Sequence, residues 1–440
     1  MFVVILISLI GLLFPLIYYA SRNKAILEIM PTLAWFTFMV IPFYYSMEFL
    51  DSTGTNLQFL GITFIHTALL VSDWYSVRIK SKSLPSIKQE TDIGSHRKIQ
   101  SLLIFIVLVI PVAHTLISGT SPLFDLVFKD SSNEGVSMDR ALYTKFGVTY
   151  FFLVLSNWTV NIIMPFLVAW LFVQKKYYRS AIILTWSLLY AINSTAKLPV
   201  IFLLVSISFI LIALKFKQLA NIFGKAIIVV FVGVILSGIS FGSAMLNNVD
   251  KCPLSPGIVK SPANISRSCP SSGSIEINPV INTIGYRVFF TPVEVSNHWY
   301  NYFSTGENMT RSLSDLFERD TFKKTANLIG REYYVKPFPN SYNDSITAYA
   351  SIDADAFSFG GLPLVLLLSI LLVFIRLFLS SKDYNSSPEI QAFEHLALVY
   401  LILLPFTASI QAILIPQGLL PVLLIILYLR KQKRLGDKRL

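Results

Sequence analysis

Charge is scarce in this chain: 14% of its 440 residues are charged, whereas 54% are hydrophobic. Long apolar runs with so few charges between them mark a polytopic membrane protein. The net charge of +11 does not point to nucleic acid. The bases lie between apolar runs, where membrane topology and anionic head groups account for them. Other absences narrow the chemistry. There is no HExxH and no clustered His and Cys pattern, so neither a metal nor any other cofactor is expected. There is no GxSxG elbow and no phosphate-cradling glycine loop, which argues against a serine hydrolase and against nucleotide substrates. No repeat of twenty to fifty residues is present. The opening MFVVILISLIGLLFPLIYYASRNK lacks a basic n-region and a small-residue cleavage site, so it is expected to stay as a first span rather than act as a signal peptide.

What is present is a series of apolar runs. Eleven runs are long enough to be read as spans, at 2–20, 31–50, 57–74, 99–119, 148–173, 180–192, 198–214, 226–245, 360–380, 393–413 and 415–429. The sixth is short. The expected architecture is therefore all-α, with spans 1–8 in residues 1–245, a large helical loop at 246–359, and spans 9–11 with a basic tail in 360–440. If every run crosses, one set of connections carries 22 of the 36 Lys and Arg residues, and the other carries 14, ten of them in the long loop. Long loops cross largely regardless of charge. The N-terminus and the long loop are thus expected outside and the C-terminus inside.

Only two cysteines exist, Cys252 and Cys269, both near the start of that loop. A disulfide between them would be worth roughly 3 kcal/mol in the chain-entropy model and would require an oxidising compartment. A bacterial inner membrane with the loop in the periplasm fits these expectations, although two free thiols remain the alternative.

Ionisable residues inside membranes are costly and tend to be functional. Here Glu48, Asp73, Glu394 and His395 fall at the ends of runs, while His66 and His114 lie deeper and read more simply as packed histidines. The polar chemistry is concentrated in the long loop, whose sixteen aromatic rings are too many for a disordered linker. Within INTIGYRVFFTPVEVSNHWYNYFSTG, the TPVE segment is a capping box: Thr291 caps, Pro292 opens the first turn and Glu294 reaches back. This predicts a helix over 292–303 that stops near Gly306, with Glu294 in a structural role. His298 falls one turn further along the same face, where it is expected to be exposed and can be read either as a base or as an interfacial residue. Arg287, set between aromatic residues, can be read as a ligand for pyrophosphate or as a snorkelling side chain. A second box, SLSD at Ser312–Asp315, predicts a helix ending near Gly330. Arg311, Arg319, Lys323, Lys324, Arg331 and Lys336 are spread through this region as solvated charges, one or two of them available to phosphate. Asp344, Asp353 and Asp355 precede the ninth run as candidate bases or as caps, and Gly360 and Gly361 allow the chain to turn into it.

The eleven runs, the long loop before the last three, the hairpin LLYAINSTAKLPVIFLL, the arginine ahead of an aromatic helix in GYRVFFTPVEVSNHWYNYF and the DADAFSFGGLP lead-in together resemble the Wzy-type O-antigen polymerases. The resemblance implies a metal-independent glycosyltransferase with a GT-C-like fold. Such an enzyme moves a growing glycan from undecaprenyl pyrophosphate onto the sugar hydroxyl of a second lipid-linked repeat unit. It implies pyrophosphate contacts from Arg287, Lys197, Arg331 and Lys336, where Lys197 stands in for an arginine common at that hairpin and lacks its fork. His298, Asp353 or Asp355 would take the proton, and Trp299, Tyr300 and Tyr302 would stack on sugar rings. Lipid-linked oligosaccharides, the bilayer, a chain-length regulator and a flippase are the implied partners. An O-antigen ligase and a lipid-linked oligosaccharide flippase are the competing readings.

Overall fold

The computed structural model describes residues 11–20, 26–46, 52–81, 97–119, 148–193, 197–214, 291–304, 311, 319–332, 351–380, 387–406 and 409–437. Helix α1 is Gly11–Ala20. A continuous helical stretch, α2, starts as a 3-10 turn at Ile26–Ile29, continues through Met30–Trp35, widens into a π turn at Phe36–Val40 and ends as Ile41–Ser46. Next come α3 (Ser52–Ser81), α4 (Arg97–Ser118) and α5, which is Val148–Trp158 and Met164–Val173 joined by a π turn at Thr159–Ile163. They are followed by α6 (Tyr177–Asn193), α7 (Lys197–Leu214), α8 (Thr291–Ser304), α9 (Arg319–Gly330), α10 (Ile352–Gly360), α11 (Leu362–Ser380), α12 (Pro388–Ile402), α13 (Ile410–Leu414) and α14 (Leu419–Asp437). No strand occurs among the described residues.

Among the described residues, six segments are long and apolar enough to cross a membrane: Leu27–Tyr44, Gly54–Ile79, Gln100–Ser118, Phe151–Val173, Leu362–Ser380 and Ile410–Gln432. Gly11–Ala20 and Pro199–Ile212 are shorter apolar helices. The chain is thus an α-helical, membrane-embedded protein. The eighth expected span, 226–245, lies outside the described residues. The tenth and eleventh differ from expectation. The helix expected over 393–413 stops at Ile402, becomes a 3-10 turn at Leu404–Phe406 and restarts at Ile410. The helix beyond is broken again at Ile415–Gly418, where Pro416 biases its predecessor away from helical angles and Gly418 adopts a φ of 106°.

The chain forms two compact units. In the second, which holds Ser83–Ala220, Asp383–Tyr400 and Ala412–Leu440, a core of Val107, Val160, Leu167, Ile183, Leu203 and Ile207 is buried. Its polar groups are tied to backbone at the helix breaks: Trp158 Nε1 donates to the Ile415 carbonyl at 2.6 Å, while Asn161 Nδ2 and Tyr400 OH donate to the Gln417 carbonyl at 3.2 and 2.7 Å. His114 is packed as expected, with Nδ1 2.8 Å from Tyr190 OH.

The first unit holds Met1–Lys82, Asn221–Lys382 and Leu401–Gln411, and its axis is the pair α3 and α11. Gly61 faces Val365, Asp73 pairs with Arg376, and the Ser76 and Ser380 hydroxyls share a hydrogen bond. The constant register means that α3 and α11 run parallel. Helix α2 packs beside them, with Trp35 Nε1 donating to the Ile62 carbonyl at 3.1 Å. At the N-terminal end of the pair, the short helices α8 and α10 pack against α3 and each other.

Candidate functional site

Helix α8 starts at Thr291, within one residue of the capping-box expectation, and runs to Ser304. It sits close to α3 because Gly54 and Gly61, seven positions apart, share one face of that helix. A Cβ at Gly54 would lie 2.6 Å from Asn301 Cγ, and one at Gly61 would lie 3.0 Å from Tyr300 Cζ. A side chain added at either glycine would therefore have to displace the α8 side chain that it meets. Between them, Gln58 Nε2 donates to the Val293 carbonyl at 2.8 Å, and its Oε1 accepts from Asn297 Nδ2 at 3.1 Å. Asn297 Nδ2 also reaches Thr55 Oγ1 at 3.3 Å, and Asn301 Nδ2 donates to Asn297 Oδ1 at 3.2 Å. The result is a ladder of neutral amides along a buried helix face.

Helix α10 presents its carboxylates in two directions. Asp353 accepts from Tyr300 OH at 3.2 Å and from the Ser351 hydroxyl. Ser351 in turn meets the Ser296 hydroxyl at 2.5 Å. Asp355 accepts from Arg311 Nη1 at 2.6 Å and from the Ile410 backbone N–H at 2.9 Å. The Arg311 backbone N–H donates to the Ser358 carbonyl at 2.9 Å, and its guanidinium lies 4.1 Å from the Phe359 ring centroid. Asp355 thus holds three separated pieces of chain together. Burial pushes the Asp353 carboxyl above its ordinary range. It pushes Asp355 up to about 6 even though Arg311 pulls the other way. Burial and the neighbouring Asp353 charge raise Tyr300 well above its ordinary value. Helix α10 ends at Gly361, whose φ of 67° provides the expected turn into α11.

His298 corrects its expectation. It is 2% exposed rather than open to solvent, and its Nε2 lies 3.9 Å from Glu294 Oε1. The i, i+4 spacing does stack the two side chains, but the face they share is the one pressed into the unit. Glu294 is buried as well. The stacking role expected of Trp299 and Tyr300 is also corrected: both are fully buried, and the Tyr300 ring lies 4.4 Å from that of Phe357, so neither offers a sugar an open face. Tyr302 is half-buried and packs edge-on against Phe303. Arg311, read as a solvated charge, is buried. Arg331 is exposed. Arg287, Lys336, Cys252 and Cys269, together with the side chains of Lys197 and Thr291, lie outside the described residues.

Sequence reading missed a second cluster at the far end of α3. Asp73, read at the end of a run, and Arg376, within the ninth run, are buried inside apolar helices. Arg376 Nε donates to Asp73 Oδ1 at 2.7 Å. Its Nη2 donates to Glu28 Oε2 at 2.7 Å and to the Glu28 carbonyl at 2.6 Å. Thr32 Oγ1 donates to Asp73 Oδ2 at 2.7 Å. The signal was present, since an arginine four residues before the end of an apolar run needs a partner, but its two carboxylates are more than 300 residues away in sequence.

Helix α8 thus carries a Tyr–Asp hydrogen bond and neutral amides, and separately a glutamate and a histidine 3.9 Å apart; carboxylates and imidazoles are groups able to orient or deprotonate a hydroxyl. Among the described residues, no three His, Cys, Asp or Glu side chains converge as metal ligands would. The chain matches no protein-family model, no curated protein and no solved structure.

Proposed function

We infer that the chain is a Wzy-type polymerase of O-antigen or a related surface polysaccharide. It would transfer a growing glycan from undecaprenyl pyrophosphate to the sugar hydroxyl of a lipid-linked repeat unit at the periplasmic face of a bacterial inner membrane. The observation that carries this reading is the gathering of Glu294, His298, Tyr300 and Asp353 on two short helices at the N-terminal end of α3 and α11. A polymerase of lipid-linked sugars requires an acid–base pair beside a membrane surface and has no use for a nucleotide site. In this reading His298, one turn from Glu294 on α8, takes the acceptor proton, and Asp353, held by Tyr300 and Ser351, fixes the sugar hydroxyls. Arg287 and Lys197 belong to the pyrophosphate end. Asp355, joined to Arg311 and the Ile410 backbone, holds the site together.

The buried triad of Arg376, Glu28 and Asp73 favours a second reading, a lipid-linked oligosaccharide flippase, because intramembrane charges commonly line transport paths. Glycan length separates the readings. In a strain lacking the chain, a single repeat on lipid A core indicates a polymerase. No attached repeat indicates a ligase, and repeats trapped on the cytoplasmic face indicate a flippase. His298→Gln, accumulating normally, is expected to give the single-repeat product; a full ladder from that variant removes His298 from the mechanism.

A further inference from the structure

Helix α8 is fastened to α3 by neutral groups. Its described bonds to that helix come from Thr55, Gln58 and Asn297, and the seat is lined by Gly54 and Gly61. A bond of this kind contributes little net, because water replaces the lost partner when the groups are wetted. The opposite end of α3 cannot part in this way. Separating Arg376 from Glu28 and Asp73 would leave uncompensated charges among apolar helices, which is far more costly. Opening along α3 is therefore cheapest at the α8 seat, with α8 pivoting on the bonds that keep it on α10, Tyr300 OH to Asp353 and Ser296 to Ser351. Helix α8 also conceals the chemistry: His298, Tyr300 and Asp353 are all buried beneath or within its contacts.

We propose that α8 is a gate that swings off the Gly54–Gly61 seat on α3 to admit a saccharide hydroxyl to His298 and Asp353, then reseats. The gate builds on the polymerase reading and supplies the access that reading requires. In the seated state the site is closed to water and to sugar. In the open state Gln58 and Asn297 present amide donors and acceptors of the kind a sugar ring can use.

The test has one physical arm and one functional arm. In the full-length protein in nanodiscs, hydrogen exchange of α8 amides is expected to be about a hundredfold faster than that of α11 amides. Gln58→Ala should speed α8 exchange further and leave α11 unchanged. A Cβ at Gly54 would lie 3.0 Å from the Asn301 backbone nitrogen, so the pair Gly54→Cys with Asn301→Cys falls within disulfide reach. Oxidation of that pair, mapped by mass spectrometry, should slow α8 exchange to the α11 level and abolish the glycan ladder, with reduction restoring both. Equal protection of α8 and α11 in the wild type, no response to Gln58→Ala, or a full ladder from the cross-linked protein overturns the gate. If the wild type makes no ladder, the polymerase reading falls and the exchange comparison alone decides the gate.

Discussion

The two ends of α3 bury polar groups by opposite means. At its start, Thr55 and Gln58 meet Asn297 through neutral amides and a hydroxyl, and glycines bring the partner helix close. At its far end, Asp73 and Glu28 share one guanidinium. Within one helix, roughly 22 Å separates Gln58 from Asp73 at 1.5 Å per residue. The neutral end can exchange its partners for water; the charged end cannot. The difference assigns permanence to one end and change to the other.

Removing the guanidinium should give the largest effect. Arg376→Leu leaves Glu28 and Asp73 as uncompensated buried charges, with an expected cost of about 3–5 kcal/mol. The variant should fail to accumulate, as read by fluorescence-detected gel filtration. Combining it with Glu28→Gln and Asp73→Asn should recover most of the loss; no recovery would show that packing rather than charge balance matters there. The neutral end should respond more mildly. Gly61→Ala forces Tyr300 aside, at about 1–3 kcal/mol for overpacking, seen as a lower Tm. Tyr300→Phe in the same chain should return part of it, because the hydroxyl is the group that meets the new methyl.

Much of the fold was legible because it is local. The apolar runs marked α3 to α7 and α11, the TPVE box marked the start of α8, and paired glycines marked the turn at Gly361. Side-chain direction was not local. Spacing put Glu294 and His298 on one face of α8, but only packing against segments far away in the chain decides that this face is buried. Gly54 and Gly61 were a readable signal, since small residues at helical spacing invite close packing in membranes. Asp73 was read by its nearness to a run end, and its contact with Arg376 depends on the parallel register of α3 and α11, which no single segment encodes. The breaks on either side of α13 were hidden by an apolar composition that Pro405, Pro416 and Gly418 interrupt.

Between the two ends lies His66, about 12 Å beyond Gln58 and about 10 Å before Asp73 along the helix. It is fully buried, its ring lies 5.5 Å from that of Phe36, and among the described residues neither ring nitrogen has a hydrogen-bond partner. An unmet buried donor or acceptor costs about 1–3 kcal/mol. His66→Phe should therefore raise Tm. A fall instead would mean that the midpoint of α3 holds an internal partner and that the polar ends are connected rather than separate.

The smallest expected effect is a change in how stability varies with pH near the neutral end. In the folded chain Asp355 takes its proton at about 6, against an ordinary 3.8. Above that window the carboxyl is ionised in both folded and unfolded states, and below it both are protonated. Within the window the folded chain binds more protons, so stability rises as pH falls from about 6 to about 4. Asp353, also raised by burial, acts in the same direction. Asp355→Asn removes the titration, so in scans from pH 7 to pH 4 the wild type should gain Tm relative to the variant on acidification. The opposite slope would mean that the attraction of Arg311 outweighs the cost of burial. The neutral end of α3 would then rest on an ion pair as firmly as the far end does, and the contrast between them would disappear.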